Sequence, residues 1–334
     1  MKTFLRLLAA VAVLAELGLL YAWGGERPRL RVQRYRLSLP EGAGAGLRIL
    51  HLSDQHFAGD SWVRRRRLRS IRRLLAPLHP HLIVLTGDFL HNNAGLDAVA
   101  EMLQCLPEAP LGRYAVLGNH DYSEYSWRQF FGGAVRALRQ APTFAAGLKA
   151  AYREMRAIWQ LLWQILRNDR LRFARVANDT TDLRALLARY SVRLMDNEAC
   201  PLPGTSGLWL AGVDDLIEGT PDLAAALASI PADAPAIFLT HNPDLAYDLP
   251  PSPVVLALAG HTHGGQVVLP GLGAVHTQGT RLPRTHPAGY FDDLPGGVQM
   301  IVSRGMGEST PFRFRCLPEI VVIDLLPAGL VTLP

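Results

Sequence analysis

Five short apolar runs punctuate the chain, at residues 49–52, 82–85, 115–117, 236–239 and 254–258. Each is too short for an independent helix and is aliphatic on successive positions, so each reads as a buried strand. Elsewhere the period changes. Across Trp62–Leu75 the residues Leu68, Ile71, Leu74 and Leu75 recur at helical spacing, and seven arginines fill the remaining surface. Across 148–166 a second amphipathic helix is expected. Leu148, Tyr152, Met155, Trp159, Leu162 and Leu166 share one face, and Lys149, Arg153, Arg156, Gln160, Gln164 and Arg167 lie mostly elsewhere. Strands alternating with helical segments from Leu47 onward predict one α/β domain, without internal repeats.

The apolar run at 7–23 is interrupted only by Glu16 and Gly18 and has the shortest length that spans a bilayer. Lys2 and Arg6 precede it, and Arg27, Arg29, Arg31, Arg34 and Arg36 follow. The positive-inside rule then favours an uncleaved inner-membrane anchor with the catalytic domain on the cytoplasmic side. A cleaved signal and export is the alternative, against which Ala22-Trp23-Gly24 is a poor cleavage site. The expected organisation is therefore an anchor or signal at 1–25, a basic linker at 26–46, and a domain at 47–334 with a helical insertion at 122–195.

Charge and cysteine content narrow the partners. A formal charge of +5 and a pI near 9.3 point to an anionic partner. Cys105, Cys200 and Cys316 are odd in number and lack metal-ligand spacing, so buried thiols are expected rather than disulfides.

The chemistry follows the strands. Each apolar run is followed by a polar motif: Asp54-Gln55-His56, Gly87-Asp88, Gly118-Asn119-His120-Asp121, His241-Asn242 and Gly260-His261-Thr262-His263. Asp, Asn and His supply the oxygen and nitrogen ligands that divalent metals prefer. Alone, any one motif is an ordinary turn or polar face. Five of them at strand ends predict a site where loops converge at a sheet edge.

With these motifs in this order, the chain resembles the calcineurin-like metallophosphoesterases from about Leu47 to Leu325. The stretches at 239–244, 259–266, 303–307 and 312–320 are most similar to the membrane-associated phosphodiesterase branch of YaeI and YkuE. The resemblance implies a four-layer α/β/β/α sandwich and a binuclear centre. Carried over by position, it assigns Asp54, His56 and His263 to one metal and Asn119, His241 and His261 to the other, with Asp88 bridging. A shared carboxylate offsets the repulsion of two cations, which an imidazole cannot do. The metals are Mn, Fe, Zn or Co; all-N/O ligation does not choose among them. The resemblance makes His120 the residue that protonates the leaving oxygen or stabilises charge on the phosphoryl group, and Asp121 is expected to orient it. His51, His79, His81, His91, His276 and His286 lack a motif partner and read as loop or core histidines, with an outer role open for His51, near Asp54.

Two basic segments exceed what this chemistry needs. The arginines of Trp62–Leu75 suit anionic headgroups, with a solvated face or nucleic acid as the other readings. The stretch at 127–176 adds Trp127, Phe130, Phe131, Phe144, Trp163 and Phe173 to its basic helix. It reads equally as an interfacial membrane element or as a cap whose apolar face is core. Together these features predict a phosphorylated lipid substrate at an anionic membrane surface, with nucleic acid disfavoured. The similarity extends to the UDP-2,3-diacylglucosamine pyrophosphatase type, which releases UMP and lipid X in lipid A synthesis. A broad envelope phosphodiesterase and a non-catalytic membrane scaffold are the alternatives.

Overall fold

A computed structural model describes residues 16, 18, 20–40, 43–126, 143–171 and 174–327. All five apolar runs form strands: β2 (Arg48–Leu52), β3 (Leu82–Thr86), β4 (Arg113–Val116), β10 (Ala236–Leu239) and β11 (Val254–Ala259). The remaining strands are β1 (Arg31–Ser38), β5 (Ser123–Ser126), β6 (Ala174–Ala177), β7 (Val192–Leu194), β8 (Glu198–Pro201), β9 (Trp209–Gly212), β12 (Val268–Leu269), β13 (Gly273–Ala274), β14 (Gly289–Phe291), β15 (Gln299–Val302) and β16 (Glu319–Leu326). The longer helices are α1 (Trp62–Leu75), α2 (Leu96–Gln104), α3 (Phe144–Arg167) and α4 (Thr180–Arg189).

Two six-stranded sheets form, in the orders β1-β16-β2-β3-β4-β7 and β14-β15-β11-β10-β9-β8. Both are mixed: β2, β3, β4 and β7 run parallel while β16 pairs antiparallel to β2, and β14 and β8 pair antiparallel on parallel neighbours. The α/β expectation holds. Ile49, Val84 and Val116 of the first sheet share one hydrophobic cluster with Leu210, Ile237 and Leu256 of the second. The opposite side of the first sheet, through Leu50, Ile83 and Leu85, packs on Ile71 of α1, Met102 of α2 and Leu187 of α4. Strands covered on both faces read as unbroken apolar runs, which is why the pattern was so plain.

This topology sets the site. The parallel strands β2, β3 and β4 end in register, as do β10 and β11. Each motif begins within three residues of such an end, so all five loops leave along shared edges.

Three expectations change. The segment 26–46 is not simply a linker: β1 pairs along its whole length with β16, burying Tyr35 and Leu37 while Arg34 and Arg36 point outward. The insertion is shorter than 122–195. The β5–β6 hairpin closes its base between Ser126 and Ala174, and beyond it Leu183, Leu187 and Val192 belong to the core. Trp127, Phe130, Phe131 and Phe173 lie outside the described residues, as does most of the run at 7–23; among the described residues no helix is long and apolar enough to cross a membrane. The end of that run and the residues after it pack on the domain: Arg313 N donates to Ala22 O (2.8 Å), and Cys316 N donates to Glu26 Oε2 (2.9 Å).

Candidate metal centre

The loop after β2 carries Asp54 and His56, both at positive φ, 54° and 46°. Asp88 (55°), His261 (70°) and His263 (53°) are also in the left-handed region, which ordinary side chains avoid. Backbone hydrogen bonds between loops hold them there: Asp54 N to Gly87 O (3.0 Å), His56 N to Asp88 O (2.9 Å) and Gly260 N to His241 O (3.0 Å). Gly118 and Gly260 are required by close approach, since a Cβ on the first would collide with the Asp88 carboxylate and on the second with Ser53 Oγ.

Six of the seven expected ligands fall into two overlapping clusters, and the seventh, Asn119, lines the adjoining cavity with His120 and His261. Ligand atoms of Asp54, His56, Asp88 and His263 lie within 4.8 Å of one another, as do those of Asp88, His241 and His261. Asp88 belongs to both groups. Its Oδ2 lies 3.2 Å from His56 Nε2 and 3.3 Å from His241 Nε2. His56 Nε2 and His263 Nε2 approach to 2.9 Å, and His241 Nε2 and His261 Nδ1 to 3.2 Å. Two imidazole lone pairs repel at such distances unless a proton or cation sits between them. His241 Nδ1 donates to Thr86 O (2.7 Å), leaving Nε2 for the centre. Asn119 Oδ1 and His261 Nε2 are buried without hydrogen-bond partners. These donors fit divalent metals.

Charge tells the same story. Burial opposes ionisation, yet His241, His120 and His56 hold the Asp88 carboxyl well below the usual carboxylate range. Burial also opposes a charge on His241, but Asp88 outweighs it and pushes that imidazole up to about 10. Asp88 thus stays ionised among the imidazoles and favours a cation beside it, whereas burial, then the neighbouring Asp88 charge, raises the Asp54 pKa in the absence of one.

Asn119–Tyr122 is a single helical turn, not the strand end expected for Asn119 and His120. His120 lies edge-on to His56 (centroids 4.4 Å) and to Tyr125 (4.7 Å), with Nδ1 unpartnered. Burial, then the charge of His56, holds its pKa well below the usual histidine value. Asp121 does not orient His120. Its Oδ2 accepts from Asp88 N and Gly118 N (both 2.9 Å) and its Oδ1 from Leu90 N (3.0 Å), so it ties the β3 and β4 loops together. Its three hydrogen bonds all go to backbone N–H groups of these loops, and none joins it to the His120 ring.

His51, for which an outer role was left open, gains one. The Asp54 carboxylate accepts from Ser53 Oγ (2.6 Å), Ser53 Oγ accepts from Thr86 Oγ1 (2.8 Å), and Thr86 Oγ1 therefore accepts from His51 Nε2 (2.8 Å). With Asp54 ionised each link runs in this direction, and Ser53 Oγ also lies 3.2 Å from Thr86 O. Burial lowers the His51 pKa to about 3, so the ring is a neutral donor.

Sequence reasoning missed two residues. His91 was read as a loop or core histidine, but it forms a third cluster with His56 and His120 and stacks on His120 (5.5 Å, 24°). The signal was its place in Gly87-Asp88-Phe89-Leu90-His91, one turn past a ligand. Tyr125, whose hydroxyl donates to Glu218 Oε1 (2.7 Å), also bonds the Asn119 side chain and closes the site from the insertion.

Comparison with known proteins agrees. The sequence model described as calcineurin-like phosphoesterase matches residues 47–265. The chain is 29% identical over 332 residues to UDP-2,3-diacylglucosamine pyrophosphatase LpxG of Chlamydia trachomatis, covering 94% of this chain and 95% of that protein. It is 27% identical to the uncharacterized metallophosphoesterase YkuE of Bacillus subtilis (84% and 79% covered) and 24% identical to phosphodiesterase YaeI of Escherichia coli (88% and 87%). The chain belongs to the calcineurin-like phosphoesterase family, as a metal-dependent hydrolase of phosphoester or pyrophosphate bonds that uses two divalent metal ions.

Proposed function

We propose that this enzyme hydrolyses the pyrophosphate bond of a lipid-linked nucleotide, with UDP-2,3-diacylglucosamine giving lipid X and UMP as the best-supported reaction. One observation carries the reading. A cavity of about 250 Å³ is walled on one side by Asn119, His120 and His261 and on the other by Ile165, Arg170 and Leu171 of the insertion. The helix that supplies Ile165 leaves Leu148, Tyr152, Trp159, Trp163 and Leu166 exposed, so its apolar face is not core. A mostly apolar pocket beside a hydrolytic centre, under an aromatic-rich helix, suits an amphiphile. The name of the Chlamydia relative supports the same substrate.

In this reading Asp54, His56 and His263 hold one metal, Asn119, His241 and His261 the other, and Asp88 bridges. When bound, the ions supply Lewis-acid polarisation of the phosphoryl oxygens and lower the pKa of water. His120 moves a proton to the leaving oxygen, and Asp121 fixes the loop that carries it. The hydrophobic clusters on either side of each sheet support the four-layer sandwich. The domain sits on the cytoplasmic face of the inner membrane, where a nucleotide-linked substrate is available, held by the run at 7–23 and by the exposed arginines of α1.

Purified protein incubated with UDP-2,3-diacylglucosamine and Mn²⁺ should release UMP. Hydrolysis of bis-p-nitrophenyl phosphate without any UMP would overturn the lipid reading. It would leave the second one, a broad envelope phosphodiesterase, which the likeness to YaeI favours. A complete ligand set argues against a non-catalytic scaffold.

A further inference from the structure

A second cavity, of about 190 Å³, opens on the other side of the centre. It is lined by His56 and His91 and by three arginines, Arg27, Arg64 and Arg67, with Glu308 as the one carboxylate. Arg27 Nε donates to Glu308 Oε1 (2.7 Å), and Arg67 Nη2 pairs with Glu308 Oε2. Arg64 is held less firmly, donating to Ala58 O at 3.3 Å and lying 3.4 Å from Asp60 Oδ1. The Nε atoms of Arg64 and Arg67 are buried with no hydrogen-bond partner, and Arg67 is only 5% exposed. A buried guanidinium N–H without an acceptor is costly, and an added anion would complete it. Guanidinium is also the group whose fork matches phosphate oxygens. Ser309 lines both cavities, and the metal-centre histidines flank each of them: His56 the second, His120 and His261 the first.

We propose that the arginine-lined cavity is a subsite for a second, non-scissile phosphate, so that the enzyme selects substrates with two adjacent phosphates over simple diesters. This rests on the pyrophosphate reading above and names the residues that would enforce it. The scissile phosphorus lies at the metal ligands, its neighbour lies between Arg64, Arg67 and His91, and the apolar part of the substrate occupies the first cavity. Glu308, one oxygen on Arg27 and the other on Arg67, holds these two arginines at the cavity wall.

The test compares a nucleoside diphosphate with the matching monophosphate as competitive inhibitors of bis-p-nitrophenyl phosphate hydrolysis, at saturating Mn²⁺. The parent enzyme should bind the diphosphate about tenfold more tightly or better, as expected for one added charge-assisted contact. Arg64→Gln should reduce that ratio to near one, and Arg64→Lys should restore part of it. A ratio near one in the parent overturns the subsite, as does a ratio unchanged by Arg64→Gln. Because the parent ratio decides on its own, the test survives a variant that fails to fold. If UDP-2,3-diacylglucosamine is not cleaved but the diphosphate still competes better, the lipid reading fails and the subsite stands. If the lipid is cleaved but the ratio is near one, the subsite alone fails.

Discussion

Thr86→Val isolates the hydrogen-bonded chain behind Asp54. Valine matches threonine in shape but removes the one hydroxyl that accepts from His51 Nε2 and donates to Ser53 Oγ. All of these groups are fully buried, so water cannot replace the lost contacts. A buried donor left unsatisfied costs about 1–3 kcal/mol, and the weakened Ser53 link adds a smaller amount. The expected loss is about 2–4 kcal/mol, a large part of the roughly 5–15 kcal/mol that holds a domain together. Outer hydrogen-bond partners of metal ligands also tune affinity about 10–100-fold. The Thr86 carbonyl still accepts from His241, so the second metal's ligands keep their support. Urea unfolding of chelator-treated protein reads the first effect, and Mn²⁺ titration followed by metal analysis reads the second. Adding His51→Leu removes the stranded donor as well, so the double variant should be less unstable than the sum of the singles by about 1–2 kcal/mol. Simple additivity, or an unchanged Mn²⁺ affinity in Thr86→Val, would refute the chain as a support for Asp54.

Other outcomes follow from the same geometry. Asp88→Ala should abolish binding of both metals and all hydrolysis, whereas His120→Ala should keep the metals, by elemental analysis, and lose about 10²–10⁴ in turnover. Glu308 is nearly fully buried; burial raises its pKa, but Arg67 and Arg27 outweigh that and hold it below 4.5. A carboxyl lowered in the folded state stabilises the fold above its unfolded pKa and loses that contribution as pH falls through the folded one. Urea midpoints should therefore drop below about pH 4.5, and Glu308→Gln should flatten that acid limb; an unaltered limb would remove the assignment. Replacing Trp159 and Leu162 with Glu should weaken sedimentation with anionic vesicles while leaving the unfolding midpoint within about 0.5 kcal/mol, because both are exposed. A loss of several kcal/mol would show instead that this face packs on the domain.

The sheets and the ligand loops were legible because their signals are local. A strand buried on both faces leaves an unbroken apolar run, and its end marks where a loop must begin. The helix at Trp62–Leu75 was legible for the same reason, through Leu68, Ile71 and Leu75 facing the core. β1 was present in the alternation of Tyr35 and Leu37 with Arg34 and Arg36, but those arginines disguised it as a charged linker. The roles of Asp121 and His91 were not legible, since each depends on which loops the topology brings together. Periodicity showed that α3 has an apolar face; only packing could show that nothing in the described domain covers it.

The centre's position also explains how the chain tolerates it. Five of the seven expected ligands hold positive φ angles, each costing roughly 1–3 kcal/mol. The bonds that impose those angles are mostly between backbone groups of neighbouring loops, such as Met306 N to Ser53 O (2.9 Å) beside Asp54 N to Gly87 O. These loops leave strand ends already fixed in register by two six-stranded sheets. The frame is therefore assembled largely without the ligand side chains, and the strain is carried by the sheets rather than by the metals. It follows that shortening a histidine ligand such as His56 or His263 removes a donor without releasing the loop that carried it, whereas Asp54 and Asp88 also accept from His261 N and His120 N. Histidine-ligand substitutions should thus cost metal and turnover well before they cost the fold. Substitutions at Gly118 or Gly260, where a Cβ meets neighbouring loops, should do the reverse.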